Sequence, residues 1–484
     1  MNYKMMGRFI GKILIVEAVF LVPAMLISLW EREFTAVAAF MWSLAAIMAV
    51  SGLLLLLSRG SQNKFYAKEG LVCVGMSWLF MSLLGCLPFC ISGVIPNYVD
   101  AFFEIVSGFT TTGASILPQV EGLPKGILYW RSFSHWLGGM GVLVFLLAIS
   151  SMGGSDNGYT MHLLRAESPG PNVGKLVPKM RKTASILYLI YILLTILDIV
   201  FLLLGGMSLF EAVCTAFGTV GTGGFGIRND SIAGYSPYIQ NVCTVFMMLC
   251  GVNFTCFYLL LIRQFKAVFR DEELKLYLGI MAGSILLITL NLKGVYDTLG
   301  ETLRHAAFQV ATIMTTTGFA TTDYELWPGF SKAILLCLMI IGASAGSTGG
   351  GFKCGRALLV IKSLFRSVRK ITHPQKVQVV RINGQPIGEK VLQNTNAYLA
   401  AYAIMTVGSF LLISVDGFSI TTNFSAVLAC FNNIGPGFDA VGPTCNYAAY
   451  SMFSKLVLSL DMLAGRLEIF PVLVMFSRTT WKHR

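Results

Sequence analysis

Titratable side chains are scarce in this 484-residue chain: charged residues make up only 12% of it, and there are only five histidines. Those histidines, His135, His162, His305, His373 and His483, lie far apart, and none stands at metal-ligand spacing from another. The 11 cysteines form no Cys-x-x-Cys and fall mostly within apolar runs, as at Cys73, Cys86, Cys214, Cys250 and Cys337. A membrane-embedded enzyme would gather such groups at one membrane face. Their scarcity therefore argues against catalysis and redox work, calls for no organic cofactor, and leaves the cysteines as small packing residues. A large soluble core is excluded by the same sparsity of charge, since 55% of the residues are hydrophobic and the mean hydropathy is +0.70. The composition is that of an all-α polytopic membrane protein.

The net charge of +12 does not point to nucleic acid, because of where it lies. Bases cluster in alternate connections: Lys4, Arg8 and Lys12; Arg59, Lys64 and Lys68; Lys175, Lys179, Arg181 and Lys182; Arg263, Lys266 and Arg270; Lys362, Arg366, Arg369, Lys370, Lys376 and Arg381; and Arg478, Lys482 and Arg484. The intervening connections carry Glu31, Glu33, Asp100, Glu121, Asp230, Asp297, Asp323, Glu325, Asp416 and Asp439. This is the positive-inside pattern, which puts both termini in the cytoplasm and implies an even number of spans. The opening segment has the bases and apolar run of a signal peptide. Its run from Phe9 to Trp30 is long enough to span, and no small-residue cleavage site follows, so it reads as a first transmembrane helix.

One short pattern recurs four times at intervals of roughly 100 residues, a large apolar residue four positions before a glycine with small polar residues between. The copies are Phe109-Thr110-Thr111-Thr112-Gly113, Phe217-Gly218-Thr219-Val220-Gly221, Met314-Thr315-Thr316-Thr317-Gly318 and Phe431-Asn432-Asn433-Ile434-Gly435. All lie between long apolar runs. Non-helical backbone at that depth must be buried in protein or line a wet cavity. Four extended segments around one axis, with glycine permitting close approach, build rings of carbonyl oxygens able to replace the hydration shell of a potassium ion. The predicted potassium-binding filter is Thr111, Thr112 and Gly113, Thr219, Val220 and Gly221, Thr316, Thr317 and Gly318, and Asn433, Ile434 and Gly435. A half-membrane helix before each segment points its negative dipole end at the centre, which favours a cation.

The expected organisation is an amino-terminal two-helix hairpin over residues 1–68, pore repeat one over 69–152, a cytoplasmic linker over 153–182, and repeat two over 183–265. Repeat three follows over 266–366, a basic cytoplasmic segment over 367–392, and repeat four with the tail over 393–484. The four span–pore-loop–span repeats are fused around a pseudo-fourfold pore. The closing helix of repeat three meets Gly342-Ala343-Ser344-Ala345-Gly346-Ser347-Thr348-Gly349-Gly350-Gly351 roughly 18 Å below its start, near mid-membrane. Gly342-x-x-x-Gly346 has the spacing of a helix-packing face. The three consecutive glycines go beyond that need and strongly disfavour continuous helix, so the run reads as an unwound loop across the path, able to act as a gate. In the last span Arg466 either pairs with Asp461 or faces the pore beneath the filter, where a fixed positive charge would impede cation flow. Asp198 is a further intramembrane carboxylate, toward the outer end of its span.

On these motifs, the hairpin and the glycine-broken helix, the chain resembles the Trk/Ktr/HKT superfamily of potassium transporters over essentially its whole length, most nearly the bacterial TrkH/TrkG branch. The resemblance implies four fused potassium-channel-like subunits in one chain of the bacterial inner membrane. It also implies a homodimer in which each protomer keeps its own pore, and a cytosolic, TrkA-like nucleotide-binding partner that controls the gate. In that family serine at the first filter glycine accompanies sodium permeation, so Gly113, Gly221, Gly318 and Gly435 here imply a preference for potassium over sodium. The family's membrane loop maps onto Gly342 to Gly351 and its pore-facing arginine onto Arg466. The fourth segment, with Asn433-Ile434 in place of Thr-Thr, departs most from the potassium-channel pattern. Gated potassium uptake is the expected function, with a symporter coupled to H⁺ or Na⁺ as the alternative. A symporter needs a carboxylate pathway across the midplane, and Asp198 and Asp461 are few for that.

Overall fold

The computed structural model describes residues 1–60, 67–141 and 180–481. Most of the linker expected over 153–182, and the first closing span beyond Gly141, lie outside the described residues. The chain is a polytopic all-α membrane protein. Among the described residues six helices are long and apolar enough to cross a bilayer, or seven when the bent pair Pro237–Cys250 and Phe254–Leu261 counts as one. The first two, Tyr3–Trp30 and Phe34–Leu57, form a hairpin. Its buried side packs into the largest apolar core, shared with repeats one and four, while smaller cores hold repeats two and three.

Each repeat has an outer helix: Ala67–Gly85, Met180–Leu204, Glu272–Asn291 and Glu389–Ile413. A short pore helix follows in each: Tyr98–Phe109, Leu209–Gly221, Leu299–Met314 and Ile420–Phe431. At 12 to 16 residues these reach about 18 to 24 Å, short of the ~30 Å hydrocarbon layer. Every one starts on a capping side chain. Asn97 accepts from Val99 N, Ser208 from Glu211 N, Thr298 from Glu301 N and Ser419 from Thr422 N, which satisfies an otherwise orphan donor where the helix begins.

The inner helices, Lys125–Gly139, Pro237–Cys250, Gly329–Ile341 and Met452–Arg466, bring a departure from the sequence reading. Only the third was expected to break, but the second and fourth break as well. The second bends by 89° between Cys250 and Phe254, where Asn253 caps the resuming helix through Thr255 N. The fourth stops at Arg466 and restarts at Ile469 after Glu468, whose φ is 64°. The break in repeat three spans residues 342–353, and Gly342, Gly346 and Gly351 there take φ of 72°, 72° and 82°, conformations that glycine adopts at little cost. The second and third breaks satisfy each other: Ser344 N donates to the Gly251 carbonyl at 3.1 Å, and Phe254 N to the Gly346 carbonyl at 3.0 Å. Unwound backbone at membrane depth is tolerated on those terms. After Cys354–Thr372, an Asn383-Gly384 turn joins two short strands, β1 (Arg381–Ile382) and β2 (Gln385–Pro386), in antiparallel register.

Candidate functional site: a closed ring at the pore-helix ends

The four pore helices end alike. A left-handed residue follows each: Thr111 (φ 55°), Thr222 (53°), Thr316 (59°) and Asn433 (55°). Its amide reaches back three residues, to Gly108, Thr219, Ile313 and Cys430 respectively. The next amide reaches back five, with Thr112 to Ser107, Gly223 to Gly218, Thr317 to Thr312 and Ile434 to Ala429, each at 2.8 Å. This paired closure satisfies the last helical carbonyls and turns the chain sharply out of the helix. Three of the four left-handed residues are β-branched threonines, for which that conformation is a genuine outlier. Strain of this kind persists only where the surroundings enforce it.

One residue further on, four glycines take positive φ: Gly113, Gly224, Gly318 and Gly435. They close a ring. A Cβ on Gly113 would run into the Gly223 carbonyl oxygen, one on Gly224 into that of Thr317, one on Gly318 into that of Ile434, and one on Gly435 into that of Thr112. Each α-carbon thus packs on the carbonyl that precedes the next repeat's glycine, and four steps return to the start. The same four glycines line one cavity of about 130 Å³, together with Arg131, Pro436 and Tyr447.

The ring contains Thr112-Gly113, Thr317-Gly318 and Ile434-Gly435 in the expected register. In repeat two the sequence reading is three residues early. Thr219, Val220 and Gly221 form the last turn of the pore helix, where the Thr219 hydroxyl donates to the Thr215 carbonyl and Val220 packs in an apolar cluster. Thr222-Gly223-Gly224 occupies the ring instead. Asn97, Ser208 and Ser419 each stand 14 residues before their left-handed residue, and Thr298 stands 18 before its own, one extra helical turn. Gly223 lacks a side chain because the His135 ring fills that space. That imidazole is buried, with Nδ1 2.8 Å from the Gly108 carbonyl oxygen and Nε2 3.2 Å from Phe225 N, so it ties repeat one to repeat two behind the ring.

Other buttresses are polar side chains that the sequence reading passed over. Glu104, buried on the first pore helix, accepts from Arg131 Nε at 2.7 Å, from Ser115 Oγ and from Ile116 N. Arg131 also donates to the Gly226 carbonyl and lies 3.6 Å over the Phe225 ring. Tyr447 donates to the Gly435 carbonyl and Tyr324 to that of Gly437, both at 2.7 Å. An acid and a base 27 residues apart, each in the middle of a largely apolar helix, were the available signal for the pair. Removing one partner of a buried ion pair costs about 3–5 kcal/mol. Arg131→Met is therefore expected to lower the thermal unfolding midpoint in detergent strongly, and Glu104→Gln combined with it to restore part of the loss. Equal midpoints for the single variant and the parent would remove the pair from the ring's support.

Beneath the ring sits the loop of residues 342–353. Gly350 N donates to the Thr316 hydroxyl at 2.6 Å, and a Cβ at Gly350 would crowd the Asn432 carbonyl and the Asn433 side chain. Thr348 Oγ1 donates to the Cys250 carbonyl at 3.2 Å, and Ser347 Oγ to that of Ser344. Gly349 lies against the Thr315 carbonyl. Arg466 Nη1 donates to the Thr348 carbonyl at 2.8 Å, while Nη2 reaches the carbonyls of Gly138 and Gly139 at the end of the first inner helix. Asp461 turns to Ser409, whose hydroxyl donates to it at 2.7 Å. The Arg466 guanidinium is thus directed at backbone carbonyls of the loop and of the first inner helix. Asp198 is fully buried within the protein.

The profile of the TrkH family, described as a cation transport protein, matches residues 36–482. The chain is 35% identical over 489 residues to the Trk system potassium uptake protein TrkH of Salmonella typhimurium, with each chain covered in full. This chain belongs to the TrkH family. It is a transporter and not an enzyme. Within the family it is 31% identical over 468 residues to the Trk system potassium uptake protein TrkG of Escherichia coli K12, covering 96% of this chain and 95% of that one. The crystal structure of the potassium transporter TrkH from Vibrio parahaemolyticus superposes with a TM-score of 0.88 at 30% identity, over the whole of both chains.

Proposed function

We propose that this chain carries potassium into the cell across the cytoplasmic membrane through a channel-like filter at the ring. The observation that carries this reading is the closed cycle of four glycine α-carbons on four neighbouring carbonyls, the element a dehydrated cation of that size requires. The names of the TrkH and TrkG relatives, potassium uptake proteins, support it. Potassium is held by Thr112-Gly113, Gly223-Gly224, Thr317-Gly318 and Ile434-Gly435, with the side chains of Thr111, Thr222, Thr316 and Asn433 just below. The membrane potential drives entry, at about 2.3 kcal/mol per charge per 100 mV.

The loop from Gly342 to Gly351 is the gate, and Arg466 is a fixed charge in the path. Both termini are cytoplasmic. Two protomers pair, each with its own pore, and a cytosolic nucleotide-binding partner of the TrkA kind docks on the basic segment after Lys362 and moves the loop. Passive conduction is favoured over coupling to H⁺ or Na⁺, since Asp198 and Asp461 lie on different repeats and neither touches the ring. Reversal potentials that move with a proton gradient at constant potassium would sink the passive reading.

The test is rubidium uptake by cells stripped of their own potassium transporters, with and without the nucleotide-binding partner. Expression of this chain is expected to restore uptake, and the partner to modulate it. Deletion within Gly346 to Gly351 is expected to raise unregulated flux, because the hydrogen bond to Thr316 and the packing on Thr315 and Asn433 disappear together. Unaltered flux in a correctly folded deletion variant would reduce the loop to a packing element.

A further inference from the structure

We propose that Lys353 is the latch of the gate, a buried tethered cation that holds the loop shut by binding its Gly349 carbonyl. This rests on the reading of residues 342–351 as the gate and adds a residue to it. Lys353 closes the loop at its junction with the lower helix Cys354–Thr372. It is buried, and it takes a φ of 79°, a conformation that side-chain-bearing residues adopt rarely. Its amide donates to the Ile341 carbonyl at 2.9 Å, which brings the loop's two ends together. Its Nζ turns back four residues and donates to the Gly349 carbonyl.

The position of Gly349 makes this contact decisive. Thr348 and Gly349 present consecutive carbonyls, one held by Arg466 from repeat four and the other by Lys353 from repeat three. The next residue, Gly350, donates upward to Thr316 directly under the ring. Two cations thus grip the stretch that touches the filter, so its position depends on both.

The charges around Lys353 make the grip releasable. Arg356 is paired with Glu468 at the break of the fourth inner helix and lies 3.9 Å over the Tyr398 ring. Glu273 receives Ala345 N at 2.6 Å and lies against Gly355. Arg466 spends its guanidinium on carbonyls. Among the described residues Lys353 has no carboxylate within ion-pair distance. A buried ammonium satisfied by neutral carbonyls carries a large desolvation cost. Displacement of the loop lets the ammonium move toward Glu273 or Glu468, which repays part of that cost. The closed contact is consequently one that a modest outside force can undo, as a latch requires and a structural clamp does not.

The experiment uses the purified full chain in liposomes with a potassium gradient, reading rubidium uptake per folded molecule without any partner protein. Lys353→Met, which keeps the stem and removes the charge, is expected to raise basal uptake at least fivefold. Lys353→Arg is expected to return it to within twofold of the parent. The potassium-to-sodium ratio should stay at the parental value in both, because Lys353 does not touch the ring. If the Met variant gives no folded protein, Lys353→Gln is read in the same way and is expected to leak. A Met or Gln variant with parental uptake per molecule but lower thermal stability would overturn the latch and leave a structural lysine. An Arg variant as leaky as Met would overturn it too, because the cation would then not be what holds the loop. The deletion within Gly346 to Gly351 separates the two readings. Parental uptake in the deletion rejects the gate, whereas raised uptake there with parental uptake in Lys353→Met rejects the latch alone.

Discussion

Gly113→Ser lowers the preference for potassium over sodium by at least about tenfold, the equivalent of about 1.4 kcal/mol, and Gly224→Ser does the same. Both glycines sit at positive φ, 80° and 75°, where a residue with a side chain loses about 1–2 kcal/mol. Steric overlap adds to this, because each Cβ would meet a carbonyl oxygen of the next repeat, Gly223 in one case and Thr317 in the other. Relief requires the neighbouring carbonyl to swing or the ring to widen. Either change spoils the match to a dehydrated potassium ion and admits hydrated or smaller ions. Gly221→Ser provides the contrast. Its Cβ would press on the His135 carbonyl oxygen at 2.7 Å, behind the ring, so the expected result is less folded protein with the ion ratio largely kept. Competitive uptake of rubidium and sodium in the same cells reads all three. A loss of selectivity in Gly221→Ser alone would return the second filter segment to Thr219-Val220-Gly221.

That contrast marks where the sequence was legible and where it was not. Four repeats could be read because each places a large apolar residue and small polar residues before a glycine, a pattern that survives in isolation. The register of the second could not, because Gly218, Gly221, Gly223 and Gly224 all follow Phe217 closely and each is a chemically acceptable end. What selects among them is long-range: the helix closes at the left-handed Thr222, and the His135 ring of repeat one occupies the place of a side chain at 223. The broken third helix was legible because three consecutive glycines are a strong local signal. The breaks at residues 251–253 and at Glu468 were not, since a lone glycine is common in membrane helices and Leu467-Glu468 breaks no helix by propensity. The second is stabilised by hydrogen bonds from Ser344 and to Gly346, nearly a hundred residues away, and the fourth by the Glu468–Arg356 pair. Arg466 stood out as a charge in an apolar span. Its partners did not, because the nearest acid in sequence, Asp461, is engaged by Ser409 while the carbonyls it binds come from two other repeats.

Those partners set the largest expected change in gating. Arg466→Gln raises basal rubidium flux about tenfold or more. The guanidinium links the Thr348 carbonyl of the loop to the Gly138 and Gly139 carbonyls that end the first inner helix, so it joins three repeats at one point beneath the ring. Hydrogen bonds from a charged donor are worth about 1.5–3 kcal/mol each. Loss of the loop contact alone thus shifts a closed-to-open equilibrium by about ten- to a hundredfold, and removal of the positive charge lowers the barrier to a passing cation in addition. Glutamine offers two donors on a shorter stem and cannot span the three acceptors. Arg466→Lys is expected to fall between, since a point charge satisfies the loop or the helix end but not both in the planar fork geometry. Single-channel recording distinguishes the two contributions: loosening of the loop raises open probability, whereas loss of charge raises conductance at fixed open probability. The two cations grip adjacent carbonyls, so the double variant with Lys353→Met should be less than additive in open probability. Unchanged open probability and unchanged conductance in a folded Arg466→Gln variant would reduce the arginine to a strut between helices.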